Sequence, residues 1–151
     1  MSIDKVFFIF EIIGTVAFAI TGVITAIEKK LDIFGAVVLG TVTAVGGGMV
    51  RDILLGYLPP AAFRHPVYTV TAIATSLSVF IIAYFFGKRI KLHFNVYSQI
   101  INVFDAIGLA VFTVAGINSA AACGFGENSF LSIFVGMMTG VGGGVMRDMM
   151  A

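Results

Sequence analysis

Charge is what this sequence has least of. Asp, Glu, Lys and Arg make up 11% of its 151 residues, where a water-soluble domain carries about 25%. So little polar surface cannot coat a soluble globule. With 59% hydrophobic residues and a mean hydropathy of +1.06, the chain reads as an integral membrane protein. The few charges sum to +1, and no basic run is long enough for a nucleic-acid partner. One cysteine, Cys123, excludes an intrachain disulfide, and no zinc-ligand spacing exists. Tryptophan is absent, so an aromatic belt must come from the four Tyr and some of the 15 Phe. The three prolines all lie in one stretch, "GYLPPAAFRHP", leaving the rest free for long helices. No Ser-His-Asp or Cys-His set is identifiable, and no G-x-x-x-x-G-K-[ST] loop occurs, so neither an enzyme nor a cofactor is expected.

What is present is apolar length. Five runs approach the roughly 20 residues needed to cross a bilayer: Val6–Ile27, Ile33–Leu55, Val67–Phe86, Val96–Ala122 and Phe130–Met150. They lack period-2 alternation, which excludes a closed barrel. The first run is longer than a signal-peptide core and is flanked by only one basic residue, so it reads as structural. Loop charge sets the orientation. Lys29, Lys30, Lys88, Arg89 and Lys91 fall on one side, against Lys5 and Arg64 on the other. The positive-inside bias makes "EKKLD" and "GKRIKLHFN" cytoplasmic and puts the N-terminus outside.

The chain repeats itself. "FEIIGTVAFAITG" at Phe10–Gly22 aligns with "FDAIGLAVFTVAG" at Phe104–Gly116, and "GTVTAVGGGMVRD" at Gly40–Asp52 with "GMMTGVGGGVMRD" at Gly136–Asp148. Equivalent points lie three spans apart, and an odd number inverts topology. The expected architecture is therefore an all-α membrane protein built as an inverted repeat of three-helix units, with five spans present and the second unit truncated. The repeats divide at residues 1–92 and 93–151. The pattern predicts a sixth span after Asp148 and so reads the chain as part of a longer protein.

Costly residues recur at equivalent places. Gly46, Gly47 and Gly48, and again Gly142, Gly143 and Gly144, each cost about 1 kcal/mol in a helix relative to Ala. They either allow close helix packing or mark kinked or unwound segments whose freed carbonyls face a transported ion. The charges Arg51, Asp52, Arg147 and Asp148 end spans two and five. Topology places Glu11 beside Arg51 at one membrane face and Asp105 beside Arg147 at the other, giving two expected ion pairs. Glu11, Gly14, Thr15, Phe18, Thr21, Gly22 and Thr25 share a helical face, repeated as Asp105, Gly108, Phe112, Ala115, Gly116 and Ser119. That stripe is either a packing surface or a path lining. Thr15, Thr43, Thr139, Phe18 and Phe112 are the pore-lining candidates, with Thr41 nearby. Sparse hydroxyls suit a monovalent cation or a small zwitterion better than a divalent ion. No resident metal is expected, only transient potassium near the glycines. His65 and His93 read as solvated loop residues, and Met146, Met149 and Met150 as apolar helix surface.

Two copies of GGGxxRD on spans two and five, with F[ED]xIG opening spans one and four, resemble the prokaryotic relatives of the trimeric intracellular cation (TRIC) channels, whose bacterial members are also classed as carrying a glycine transporter domain. The resemblance runs from Phe10 to Asp148. It implies two inverted three-helix units plus a seventh helix, an outside N-terminus, homotrimers with one pore per protomer, and potassium conduction, in a prokaryotic inner membrane. It also implies that Gly46–Gly48 and Gly142–Gly144 kink spans two and five at that pore. Two departures stand out: helices six and seven lie outside this chain, and "GKRIKLHFN" lacks the basic lipid-binding motif of the animal channels. The sequence leads to a passive potassium channel embedded in membrane lipid. The alternatives are a glycine or small amino-acid transporter on the same scaffold, and a membrane assembly protein whose repeats only pack.

Overall fold

The computed structural model describes residues 3–87 and 94–151, with side chains at 5–85 and 98–151. Lys88, Arg89, Lys91 and His93, and the division between the repeats, lie outside the described residues. Among the described residues six α-helices follow in order: α1 (Ile3–Glu28), α2 (Ile33–Leu54), the single turn α3 (Ala61–Arg64), α4 (Pro66–Gly87), α5 (Phe94–Ala120) and α6 (Ser129–Met150). Five are long and apolar enough to cross a membrane.

Local chemistry punctuates them. Asp32 caps α2 by accepting a 2.8 Å hydrogen bond from the Gly35 N–H, and Asn128, its repeat equivalent, caps α6 from the Leu131 N–H at 3.1 Å. At the end of α1, the Leu31 N–H reaches Ala26 O and the Lys30 N–H reaches Ile27 O. This Schellman closure puts Lys30 in the left-handed region at φ 59°. Gly56 closes α2 the same way at φ 70°. The end of α5 widens into a π-helical turn, Ala121–Phe125, inside which Gly124 bends the chain at φ 87°.

α1, α2, α6 and α5 form a closed ring, each packed on the next, with the repeats meeting at α1–α5 and α2–α6. Among the described residues α4 touches α1 and α2 but neither α5 nor α6. The outward faces carry exposed apolar side chains such as Phe34, Phe85 and Phe130, as lipid contact requires. Inside, small residues set the helix spacing. A Cβ added at Gly22 would stand 2.6 Å from Gly40 Cα, and one at Gly116 would stand 2.8 Å from Gly136 Cα. Thr43 and Thr139 fill the equivalent corners beside these contacts, and each hydroxyl donates to its own helix, to Leu39 O and Val135 O, at 2.6 Å.

One expectation changes. α2 and α6 are each one continuous helix through Gly46–Gly48 and Gly142–Gly144, so neither triplet is unwound and no run of carbonyls is freed there. Close packing accounts for the central glycine of each triplet. A Cβ on Gly47 would collide with the Thr139 carbonyl oxygen, and one on Gly143 with the Thr43 carbonyl oxygen. Two helices can cross this closely only where both backbones are bare, so an intact helix with glycine at the contact is the stable solution.

Candidate functional site

The buried charges gather at the two ends of the ring. At the end of α2, Arg51 Nη1 donates to Glu11 Oε1 at 3.0 Å, and its Nε donates to Asp52 Oδ1 at 2.9 Å. Glu11 Oε2 accepts a further bond from the Tyr68 hydroxyl, and Asp52 Oδ2 one from the Ala61 N–H, both at 2.6 Å. At the end of α6, Arg147 Nη1 bonds both oxygens of Asp105 at 2.7 and 2.8 Å, and its Nε bonds Asp148 Oδ1 at 2.8 Å. A guanidinium at membrane depth is costly unless paired and hydrogen-bonded. Each arginine meets that condition through two carboxylates, one on its own helix and one on the first helix of its repeat. Topology thus brings together the pairs expected from sequence. Each cluster holds one positive and two negative groups, a net excess of one negative charge within the cluster.

Each cluster borders a cavity. The first, about 30 Å³, is lined by Glu11, Thr15, Ala44, Val45, Gly48, Arg51, Asp52 and Phe112, and is closed by Ala61, Ala62 and Tyr68. The second, about 220 Å³, is lined by Asp105, Leu109, Gly140, Val141, Gly144, Arg147, Asp148 and Phe18, together with Val145. Val145 apart, every residue lining the second is the repeat equivalent of one lining the first. The cavities are the same place in the two inverted halves, so they lie toward opposite membrane faces. Their differences are chemical. Thr15 becomes Leu109, and the second cavity has no counterpart of Tyr68 or Ala61 among the described residues. The side chain of Asp148 is accordingly 67% exposed, against 5% for Asp52.

The glycine triplets divide by function. Gly47 and Gly143 face the opposing backbone, as above. A Cβ on Gly48 would meet nothing within 4 Å, and one on Gly144 only Arg147 Nη2, at 4.0 Å. These third glycines border the two cavities. Gly46 lies under Met146, whose Sδ would be 2.5 Å from an added Cβ, and Gly142 lies against Gly47 Cα.

Of the other residues singled out from sequence, Thr15 borders the first cavity, with its hydroxyl donating to Glu11 O at 2.8 Å. Thr43 and Thr139 border neither cavity; they are locked in the helix contacts. Phe18 and Phe112 meet at the centre, ring centroids 5.4 Å apart and planes 23° apart. His65 is exposed at the end of α3, Cys123 is exposed, and Met149 and Met150 are exposed on α6. Two participants escaped the sequence reading: Tyr68 and the Ala61 backbone. Both belong to the part of the first repeat that has no copy in this chain, so comparing the halves could not reveal them. The available signal was a tyrosine opening an otherwise apolar span just after the prolines.

Comparison with known proteins places this architecture. A model of the glycine transporter family matches residues 8–84 and 102–151. A UPF0126 membrane protein of Deinococcus radiodurans is 40% identical over 141 residues, covering 93% of this chain and 61% of that protein. The UPF0126 inner membrane protein YadS of Escherichia coli K12 is 38% identical, covering 93% and 64%. The chain thus spans about three-fifths of the length of these relatives. Among solved structures, the TRIC trimeric intracellular cation channel orthologue from Rhodobacter sphaeroides superposes with TM-score 0.83 at 31% identity, over 96% of this chain and 70% of that one. A prokaryotic TRIC channel crystallised in 0.5 M KCl gives 0.85 at 35% identity, over 97% and 71%.

Proposed function

The chain belongs to the glycine transporter family, and from that premise we propose that it forms a passive cation channel, with potassium the permeant ion. The path runs along the α2–α6 seam of each subunit of a homotrimer, in a prokaryotic inner membrane with the N-terminus outside. The observation that carries the reading is the pair of repeat-related cavities at opposite ends of one four-helix ring, each with an excess negative charge. A mouth of that sign concentrates cations and repels anions. The lining offers sparse oxygens rather than the carboxylate cage a divalent ion prefers. Solved structures that superpose on this fold are described as TRIC cation channels.

The competing reading is a carrier of glycine or another small amino acid. Inverted repeats serve carriers too, and the second cavity is roomy. A zwitterion, however, asks for an available cationic partner for its carboxylate, and both guanidiniums here are already engaged by two carboxylates each. The test is purified protein in liposomes, with potassium flux measured beside labelled glycine uptake. Potassium flux that needs no coupled gradient supports the channel; glycine uptake without potassium conductance refutes it. Loss of both would leave the packing-only protein.

A further inference from the structure

The two cavities do not join, and what stands between them is specific. We propose that the stacked rings of Phe18 and Phe112 are the barrier between two half-paths, and that Gly108, Gly143 and Gly14 are the seats that hold the rings shut. The proposal rests on the channel reading for what passes, but not for the existence of the barrier. Phe112, from the second repeat, forms a wall of the first cavity; Phe18, from the first repeat, forms a wall of the second. Each ring therefore faces one cavity and stacks on the ring that faces the other. Both are buried, at 2% and 5% exposure. Aromatic constrictions of this kind close a path by excluding water rather than by charge.

The seats explain Gly108 and Gly14, which no backbone contact between helices requires, and give Gly143 a second role beside its contact with α2. A Cβ on Gly108 would stand 2.5 Å from Phe18 Cδ1, and one on Gly143 would stand 3.0 Å from Phe18 Cδ2. A Cβ on Gly14, the repeat equivalent of Gly108, would stand 3.1 Å from Phe112 Cε2. Each ring thus lies over bare backbone of the opposite repeat. Because α2 and α6 are continuous, opening need not unwind a helix. It needs the two side chains to leave their seats, a rotamer change that the ring seats oppose.

The test is sided access of a membrane-impermeant methanethiosulfonate reagent to single cysteines in the full-length protein. Gly48→Cys reports the first cavity and Gly144→Cys the second, both on a Cys123→Ser background, in right-side-out and inside-out membrane vesicles. In the parent, each cysteine is expected to react from one side only. In Phe18→Ala/Phe112→Ala, each should also react from the far side, about tenfold faster or more than in the parent, the scale on which an aromatic contact and its excluded area act. Phe18→Leu/Phe112→Leu should keep the barrier. Gly108→Ala displaces the Phe18 ring while keeping both phenylalanines, and should raise the far-side rate by a smaller factor; it carries the test if the alanine pair does not fold. Far-side reaction already present in the parent, or unchanged in folded alanine and Gly108→Ala variants, overturns the proposal. Far-side access without potassium flux keeps the barrier and refutes the channel.

Discussion

Exchanging the glycines of one triplet singly for alanine should give effects of opposite sign. In an exposed helix Gly→Ala is worth about 1 kcal/mol of stabilisation, and Gly48 has that opportunity, because its Cβ would enter open space. Gly47 does not, because its Cβ would meet the Thr139 carbonyl. A backbone group cannot swing aside as a side chain can, so α2 and α6 must separate. Overpacking costs about 1–3 kcal/mol, and here the upper part of that range applies. After the helix-propensity gain of about 1 kcal/mol, Gly47→Ala should lose about 1–2 kcal/mol net. Gly143→Ala, facing Thr43 O and the Phe18 ring, should lose at least as much, and Gly144→Ala should behave like Gly48→Ala. Circular-dichroism melts in one detergent give the order directly. Gly48→Ala and Gly144→Ala should melt at or above the parent and carry less flux, since the added methyls enter the cavities. Gly47→Ala and Gly143→Ala should melt below it. Equal destabilisation at all four positions would refute the division of the triplets.

Further outcomes follow from the charge clusters and caps. Arg51→Leu leaves Glu11 and the deeply buried Asp52 without their counter-charge and should cost about 3–5 kcal/mol. Arg147→Leu should cost less, because Asp148 is mostly exposed; denaturant titration in detergent distinguishes the two. Tyr68→Phe removes one hydrogen bond to an ionised carboxylate and should cost about 1.5–3 kcal/mol, checked by the same titration. The parallel Glu11→Gln/Tyr68→Phe double variant should show non-additivity. Lys30→Gly relieves a left-handed residue at the end of α1 and should raise the melting temperature by the equivalent of about 1 kcal/mol.

The membrane class and five spans were legible because hydrophobic length speaks directly. The repeat was legible because both copies keep the spacing of Phe, Gly and acid from Phe10 to Gly22 and the full GGGxxRD phrase. From the repeat alone, alternation of spans put Glu11 by Arg51 and Asp105 by Arg147. The different jobs of neighbouring glycines were not legible. Gly47 and Gly48 differ only in azimuth around α2, and which azimuth meets α6 depends on the crossing. The same limit hid the stacking of Phe18 on Phe112, since sequence puts both on polar stripes but not against each other. Of the readings left open for the triplets, helical close packing holds at Gly47 and Gly143 because the glycine cost is offset by the backbone contact it permits. Tyr68 was out of reach because its helix, α4, has no echo in this chain.

The central claim is that the two negatively charged cavities are the ends of one cation path. The direct measurement is the reversal potential of the reconstituted full-length protein in a planar bilayer under a potassium chloride gradient. A current reversing near the potassium equilibrium potential is the expected result, shifting toward zero when Asp105 and Asp148 are both neutralised to Asn. A reversal at the chloride potential, or no current from protein that takes up glycine, would contradict it.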